Sequence, residues 1–295
     1  MKKPLDTVEQ LALASGLSRV GGRPPLGSYL KQAWVRRDFV SMMAIYRLRS
    51  TMEENRLGIL WYIIRPVFDA AIYGFVFGIL QGASRGPDFP AYVVTGVFLF
   101  RFFSGSFGSG AQSVISSRDL VQSLAFPRVT LPLSRVVEEF IAILPPMALL
   151  PFFLMLLGHM PSLRWLMMIP LLAIFAILNA GVAMIMARLT VHLRDMVQMV
   201  PVIGRLLFYS SSVFFRVGKI FANHPSVMRA FDFHPLYAVL RIARGLMLGT
   251  PETIQPGAEY YFPSNYWLTL SIWAVVLFVF GIIFFWRAEE RYGRE

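Results

Sequence analysis

Four charged side chains stand inside otherwise apolar runs of the sequence. Arg65 and Asp69 lie within 59–80, Arg101 within 89–117 and Arg205 within 196–215. A fixed charge at bilayer depth costs at least ~2.5 kcal/mol, so such a group faces protein or a water-filled path. Arg101 follows Ala91 by ten residues, which at 1.5 Å per residue puts it ~15 Å down a helix. It reads either as part of a path or as half of a structural ion pair. Arg65 and Asp69 are spaced i, i+4 to pair with each other, and Arg65 is also near enough to the cytoplasmic edge to snorkel. Rings surround these charges: Phe100, Phe102, Phe103 and Phe107 beside Arg101, and Phe68, Tyr73, Phe75 and Phe77 in the first run. Aromatic side chains in a membrane helix commonly pack or face lipid. A ring-lined path with few charges also suits a sugar chain, whose C–H faces stack on aromatic rings. Phe68, Tyr73, Arg101, Phe102, Phe103 and Ser106 are therefore the candidate path residues.

Bond-making chemistry has no comparable home. The sequence holds no G-x-x-x-x-G-K-[ST] and no H-E-x-x-H, and its four histidines, His159, His192, His224 and His234, are scattered. No aspartate cluster is present to hold Mg²⁺ and a nucleotide sugar. Glu138 and Glu139 are adjacent carboxylates that diverge by about 100° on a helix, and ion pairing with Arg135 is their expected use. The absence of cysteine excludes thiolate metal sites and cysteine nucleophiles. We expect no catalytic residue, no metal and no cofactor in this chain.

The elements that must position these side chains follow from composition. Of 295 residues, 56% are hydrophobic and 15% charged, against roughly 45–50% and about 25% in soluble domains. The apolar residues fall in blocks long enough to cross a ~30 Å core. They predict an all-α membrane protein with six spans, near 59–80, 90–116, 136–158, 165–187, 196–215 and 264–286. With both termini cytoplasmic, the inner segments hold 18 Lys and Arg and the outer segments 7, as the positive-inside rule requires. The net charge of +11 is thus a topology signal rather than one of nucleic-acid binding.

Outside the spans, residues 1–30 contain Gly21-Gly22-Arg23-Pro24-Pro25 and read as a flexible cytoplasmic lead. Residues 31–57 read as an amphipathic helix. Val35, Phe39, Met42, Met43 and Tyr46 share one face, Arg36, Arg37, Arg47 and Thr51 lie elsewhere, and Val40 and Leu48 break the pattern. Such a helix lies in the headgroup layer or packs on the cytoplasmic ends of the spans. The loop 117–126 carries a short helix signal, with Ser117 at the N-cap, Asp119 in the first turn and Leu120 and Leu124 at i, i+4. Pro127 stops it through Phe126. In the outer segment 216–263, Val227–Phe231 and Leu236–Leu248 read as short helices broken at His234-Pro235, plausible re-entrant pieces, with His234 a turn or capping residue. Ser104 and Gly108, and Ser106 and Gly110, have the spacing of close helix packing. Residues 288–295 form a cytoplasmic tail.

Together these segments resemble the ABC-2-type permeases that export polysaccharides. The resemblance rests on Tyr46-Arg47-Leu48-Arg49, Arg56–Trp61 with Arg65-Pro66, Val94-Thr95-Gly96, Phe126-Pro127-Arg128 with Leu131-Pro132-Leu133, Leu193-Arg194-Asp195, and His234-Pro235 with Arg241. It spans roughly 31–292 and is closer to exporters of O-antigen, galactan and teichoic acid than to capsule exporters. His234 stands where the family has Asn, and Arg101 where it commonly has a ring. The resemblance implies a homodimer with two separate ATPase subunits that hold ATP and Mg²⁺, and a polymer on a polyprenyl diphosphate as cargo. It also implies an interface helix, a coupling helix and outer gate helices. Arg118, Asp119, Leu120, Leu124 and Phe126 would then meet the ATPase. Arg47, Arg49 and Arg56 would receive the lipid diphosphate at the membrane edge, arginine giving bidentate contacts. The other readings are a drug or small-lipid exporter, a polyprenyl-linked transferase and a scaffold.

Overall fold

Apolar sequence with few breaks becomes long helix, and the breaks fall where the backbone loses donors. In the computed structural model, residues 24–53, 60–76, 88–124, 126–193, 195–221, 223–249, 265–289 and 292 are described. They form α1 (Leu26–Val35), α2 (Arg37–Glu53), α3 (Trp61–Phe75), α4 (Phe89–Gln112), α5 (Arg118–Ser123) and α6 (Thr130–Leu156). After these come α7 (Met168–His192), α8 (Met196–Ser210), α9 (Val217–Ile220), α10 (Pro225–Phe233), α11 (Pro235–Met247) and α12 (Asn265–Trp286). No strand occurs among the described residues.

Four of these are long and apolar enough to cross a membrane: α4, α6, α12, and α7 with the 3-10 turn that leads into it. The other two expected crossings correspond to α3 and α8, described helices of 15 residues each. For α8, both of whose ends are described, 15 residues at 1.5 Å each reach roughly 22 Å, short of the ~30 Å hydrocarbon core. The sixth expected span, 264–286, and α12 agree to one residue.

Apolar on all sides, α4 sits at the centre of the bundle, as such a helix must. It packs on α6 and α7, with Phe102 edge-on to Phe140 and Phe175 at 5.8 and 5.4 Å between centroids. Small residues set the closest approaches. A Cβ added at Gly181 of α7 would lie 2.6 Å from the Phe278 amide of α12, so only glycine permits that crossing. Gly110 of α4 lies against Ala183 of α7 in the same way. Three prolines inside α6, Pro145, Pro146 and Pro151, remove amide donors that packed neighbours make tolerable at membrane depth.

Two parts of the sequence reading need correction here. Residues 26–30 belong to α1 rather than to a flexible lead, and Tyr29 is buried; residues 1–23 lie outside the described residues. On α2, Val40, Ala44 and Leu48 are the buried stripe, packed along α6. The two residues that seemed to break the pattern thus form the packing face. Met42 and Tyr46 remain 71% and 73% exposed, so α2 combines both sequence readings: one apolar face on protein, another turned outward.

Candidate functional site

The charges inside the apolar runs converge. Arg101 Nη1 on α4 meets Asp69 Oδ2 on α3 at 3.4 Å. Asp69 therefore pairs across helices, where the i, i+4 spacing had suggested Arg65. On α6, Arg135 pairs with Glu138 at 3.1 Å, as expected. Glu139 turns the other way and lies over Gly105 of α4, so closely that any Cβ there would collide with its carboxylate. Sequence reasoning missed this placement. The signal was available as a glycine facing a carboxylate, but nothing local couples residue 105 to residue 139.

Two cavities flank this polar wall. One of about 400 Å³ is bounded by Thr51 and Leu48 of α2, Trp61 and Arg65 of α3, Arg101, and Glu138 and Glu139. The other, about 810 Å³, is a more open groove between α3, α4 and α8. Its floor is the α4 face Val97, Phe100, Arg101, Ser104, Gly105 and Gly108, and its walls include Arg65, Asp69, Gly204, Arg205 and Phe208. The lining combines the rings of Phe100, Phe107 and Phe208, the Ser104 hydroxyl and bare glycine backbone with Arg65, Asp69, Arg101, Glu139 and Arg205, so it is more charged than the ring-lined path expected from sequence.

The groove uses a different face of α4 from the one expected. Phe102, Phe103 and Ser106 are buried at 1–4% exposure. Phe102 packs into α6 and α7 and only its edge borders the smaller cavity. Phe103 stacks on Phe107 at 5.8 Å. Phe100, Ser104 and Phe107 border the groove in their place. The cause is helical phase: residues 97, 101, 104 and 108 share a face, and a helix apolar all round gives no phase in sequence. Phe68 on α3 is 61% exposed. Tyr73 stands on α3, but its side chain lies outside the described residues.

At the end of the bundle where α4 hands over to α6, α5 ends at Ser123, and Leu124 is extended (φ −126°, ψ 136°) and 54% exposed. Leu120 and Leu124 thus do not share a helical face. Val121 is the buried residue of α5, and Leu120 and Phe126 pack beside the same cluster. Arg118 and Asp119 are exposed. Ser117 holds the N-cap position, yet its hydroxyl accepts a hydrogen bond from Arg47 Nη2 at 3.0 Å. Arg47 Nη1 donates to Ser134 Oγ at 3.3 Å. Burial, and then the nearby Arg135, pull the Arg47 guanidinium down to about 10, which leaves it charged at neutral pH. In this structure Arg47 ties α2 to the start of α5 and to α6, rather than standing free for a headgroup. Arg49 is exposed, and Arg56 lies outside the described residues.

At the opposite end of α4, His234 caps α11 by accepting from the Tyr237 amide at 3.3 Å, the role expected of it. α11 is buried among α4, α7 and α12. Its anchor is Arg244, 3% exposed, whose guanidinium donates to the carbonyls of Tyr92 (3.2 Å), Ser212 (3.1 Å) and Val213 (3.0 Å). The same group lies 3.3 Å over the Tyr92 ring. Ser212 has φ 67°, a left-handed turn after α8 that presents its carbonyl to the arginine.

A bundle of long apolar helices with paired charges inside it, a groove of rings and charges, and an exposed loop at one end is the form of a transport permease. The sequence profile of the ABC-2 type transporter family matches residues 40–248, and the chain belongs to that family. It is 26% identical to the O-antigen export system permease protein RfbA of Klebsiella pneumoniae over 247 residues, 83% of this chain and 90% of the relative. A protein of the same name from Myxococcus xanthus is 27% identical over 59% of this chain and 66% of its own length. The polysialic acid transport protein KpsM of Escherichia coli is 20% identical over 85% and 93%.

Proposed function

We propose that this chain is the transmembrane subunit of an exporter that moves polyprenyl-diphosphate-linked polysaccharide, of the O-antigen, galactan or teichoic acid class, across a bacterial cytoplasmic membrane. The observation that carries the reading is the groove of about 810 Å³. The rings of Phe100, Phe107 and Phe208 and the glycine backbone suit the C–H faces of a sugar chain, and Arg65, Asp69, Arg101, Glu139 and Arg205 offer donors and acceptors to its hydroxyls, with Asp69 and Arg101 partly neutralising each other. The names of the relatives support the cargo class. In this reading α3 and α8 complete six spans with both termini cytoplasmic, and two copies face each other across the groove. α10 and α11 form the outer gate. Arg49 and Arg56 meet the lipid diphosphate at the headgroup layer.

ATP and Mg²⁺ belong to two partner ATPase subunits, which dock on the α5 loop through Arg118, Asp119 and the exposed Leu124. Leu124→Asp is expected to abolish cargo-stimulated ATP hydrolysis while membrane insertion stays normal. Crosslinks from an introduced Leu124→Cys should reach the ATPase; crosslinks confined to the C-terminal tail would reject the docking surface. For the cargo, depletion in the native host should cause a lipid-linked glycan to accumulate on the cytoplasmic side. Accumulation of a drug or a small lipid in its place would overturn the polysaccharide reading.

A further inference from the structure

Beneath the α5 loop, residues from both ends of the described chain meet in one buried polar node. The Tyr29 hydroxyl of α1 donates to Glu289 Oε2 at 2.8 Å, 260 residues away in sequence. The Val129 amide donates to the Tyr29 oxygen at 3.1 Å. The Arg128 amide donates to Glu289 Oε1 at 3.0 Å, and its guanidinium reaches the Glu289 carbonyl. Tyr29 and Glu289 are 1% and 7% exposed. Around them Val121, Val129, Leu131, Phe285, Ala288 and Tyr292 form a separate small core.

We propose that Tyr29 and Glu289 are positioning residues for coupling, welding the α5 loop to α1 and to the end of α12 so that a displacement of the loop carries both helices with it. This rests on the reading of the α5 loop as the ATPase contact.

The choice of partners argues for it. The amides of Arg128 and Val129 lie in the turn just before α6, whose own first amides, Thr130 and Leu131, bond the Pro127 and Arg128 carbonyls; the two turn amides still need acceptors once buried. A local Ser, Thr or Asp ordinarily satisfies such donors. Here two side chains from opposite ends of the described chain do so. A local cap would steady the helix start alone; remote caps make the loop rigid with respect to α1 and α12. The far side of the loop is held as well, by Arg47 on Ser117 and by the Phe39 ring 5.6 Å from Phe126. Arg118, Asp119 and Leu124 are left projecting from a loop fixed on two sides.

The test uses the full complex with its ATPase, in proteoliposomes carrying lipid-linked glycan. Tyr29→Phe and Glu289→Gln should each lower the glycan delivered per ATP hydrolysed by about tenfold, the equivalent of one lost buried hydrogen bond of ~1.4 kcal/mol. Co-purification with the ATPase and basal hydrolysis should stay at wild-type levels, and amides 126–131 should exchange hydrogen faster. A wild-type delivery ratio in both variants overturns the assignment, and so does loss of the assembled complex in both, which would make the node a folding element. If wild-type complex neither delivers glycan nor hydrolyses ATP in response to it, the export reading itself fails and this role fails with it.

Discussion

Replacing Arg244 with Met tests whether α11 is held by a single buried cation. Methionine keeps the length of the side chain and removes the donors. Three charge-assisted hydrogen bonds disappear, each worth ~1.5–3 kcal/mol where nothing replaces it. Two of the carbonyls keep other partners. Ser212 O still accepts the Tyr92 hydroxyl at 3.3 Å, and Tyr92 O stays within the helical ladder of α4. Val213 O loses its donor, which costs ~1–3 kcal/mol. Loss of the contact with the Tyr92 ring adds ~1–2 kcal/mol. Relief of the buried charge, several kcal/mol in isolation, works in the opposite sense. The net expectation is a destabilisation of ~2–4 kcal/mol. Arg244→Lys should recover little of it, because an ammonium cannot reach three divergent carbonyls at once. The assay is thermal unfolding of the detergent-solubilised chain, with hydrogen exchange read over 211–214 and 235–247. Arg244→Met should melt several degrees lower and lose protection in those two segments first. A variant that melts with the wild type and keeps both segments protected would refute the clamp and place the stability of α11 in apolar packing alone.

Gly181→Ala should destabilise the chain by ~1–3 kcal/mol, since the added Cβ meets α12 backbone, which cannot rotate away; thermal unfolding checks it, and Gly108→Ala, with open space around it, should be neutral. Asp69→Ala should impair export more than the double variant Asp69→Ala with Arg101→Ala, because the single change strands an arginine at membrane depth; transport in proteoliposomes by the two variants decides it. Burial raises the Glu289 carboxyl above the usual carboxylate range, against the lowering effect of its bonds to Arg128 and Tyr29. A raised carboxyl contributes stability that is present below the unfolded value and lost as pH rises through the folded one. Melting of the wild type should therefore decline from mild acid upward, and Glu289→Gln should flatten that slope.

What could be read from the sequence was whatever has a local period or a local breaker. The blocks that became α4, α6, α7 and α12 announced themselves by length, and His234-Pro235 marked the break between α10 and α11. The α2 packing stripe was missed because its middle member is Ala44, a methyl group that carries almost no apolar weight beside Met42 and Tyr46. α5 stops three residues before the expected end, since the chain turns extended at Leu124 ahead of Pro127. The orientation of α4 was hidden by its uniform apolarity. Glu139 over Gly105, Asp69 with Arg101, and Tyr29 with Glu289 are pairings between distant segments, which only the packed helices bring together.

In the six-span reading, the ion pair between α3 and α4 has a consequence for insertion during synthesis. α3 emerges first, carrying Asp69 and Arg65 before any charge from a later helix is available, and charged groups at membrane depth are penalised by ~2.5–3.5 kcal/mol each. α4 brings Arg101 only some 32 residues later. Asp69 therefore gains this partner only when both helices are out of the tunnel, which favours their leaving the insertion channel together with the Asp69–Arg101 pair already formed. In that reading a chain cut between the two helices leaves α3 without its Arg101 partner, so the intact chain has the advantage in reaching the membrane.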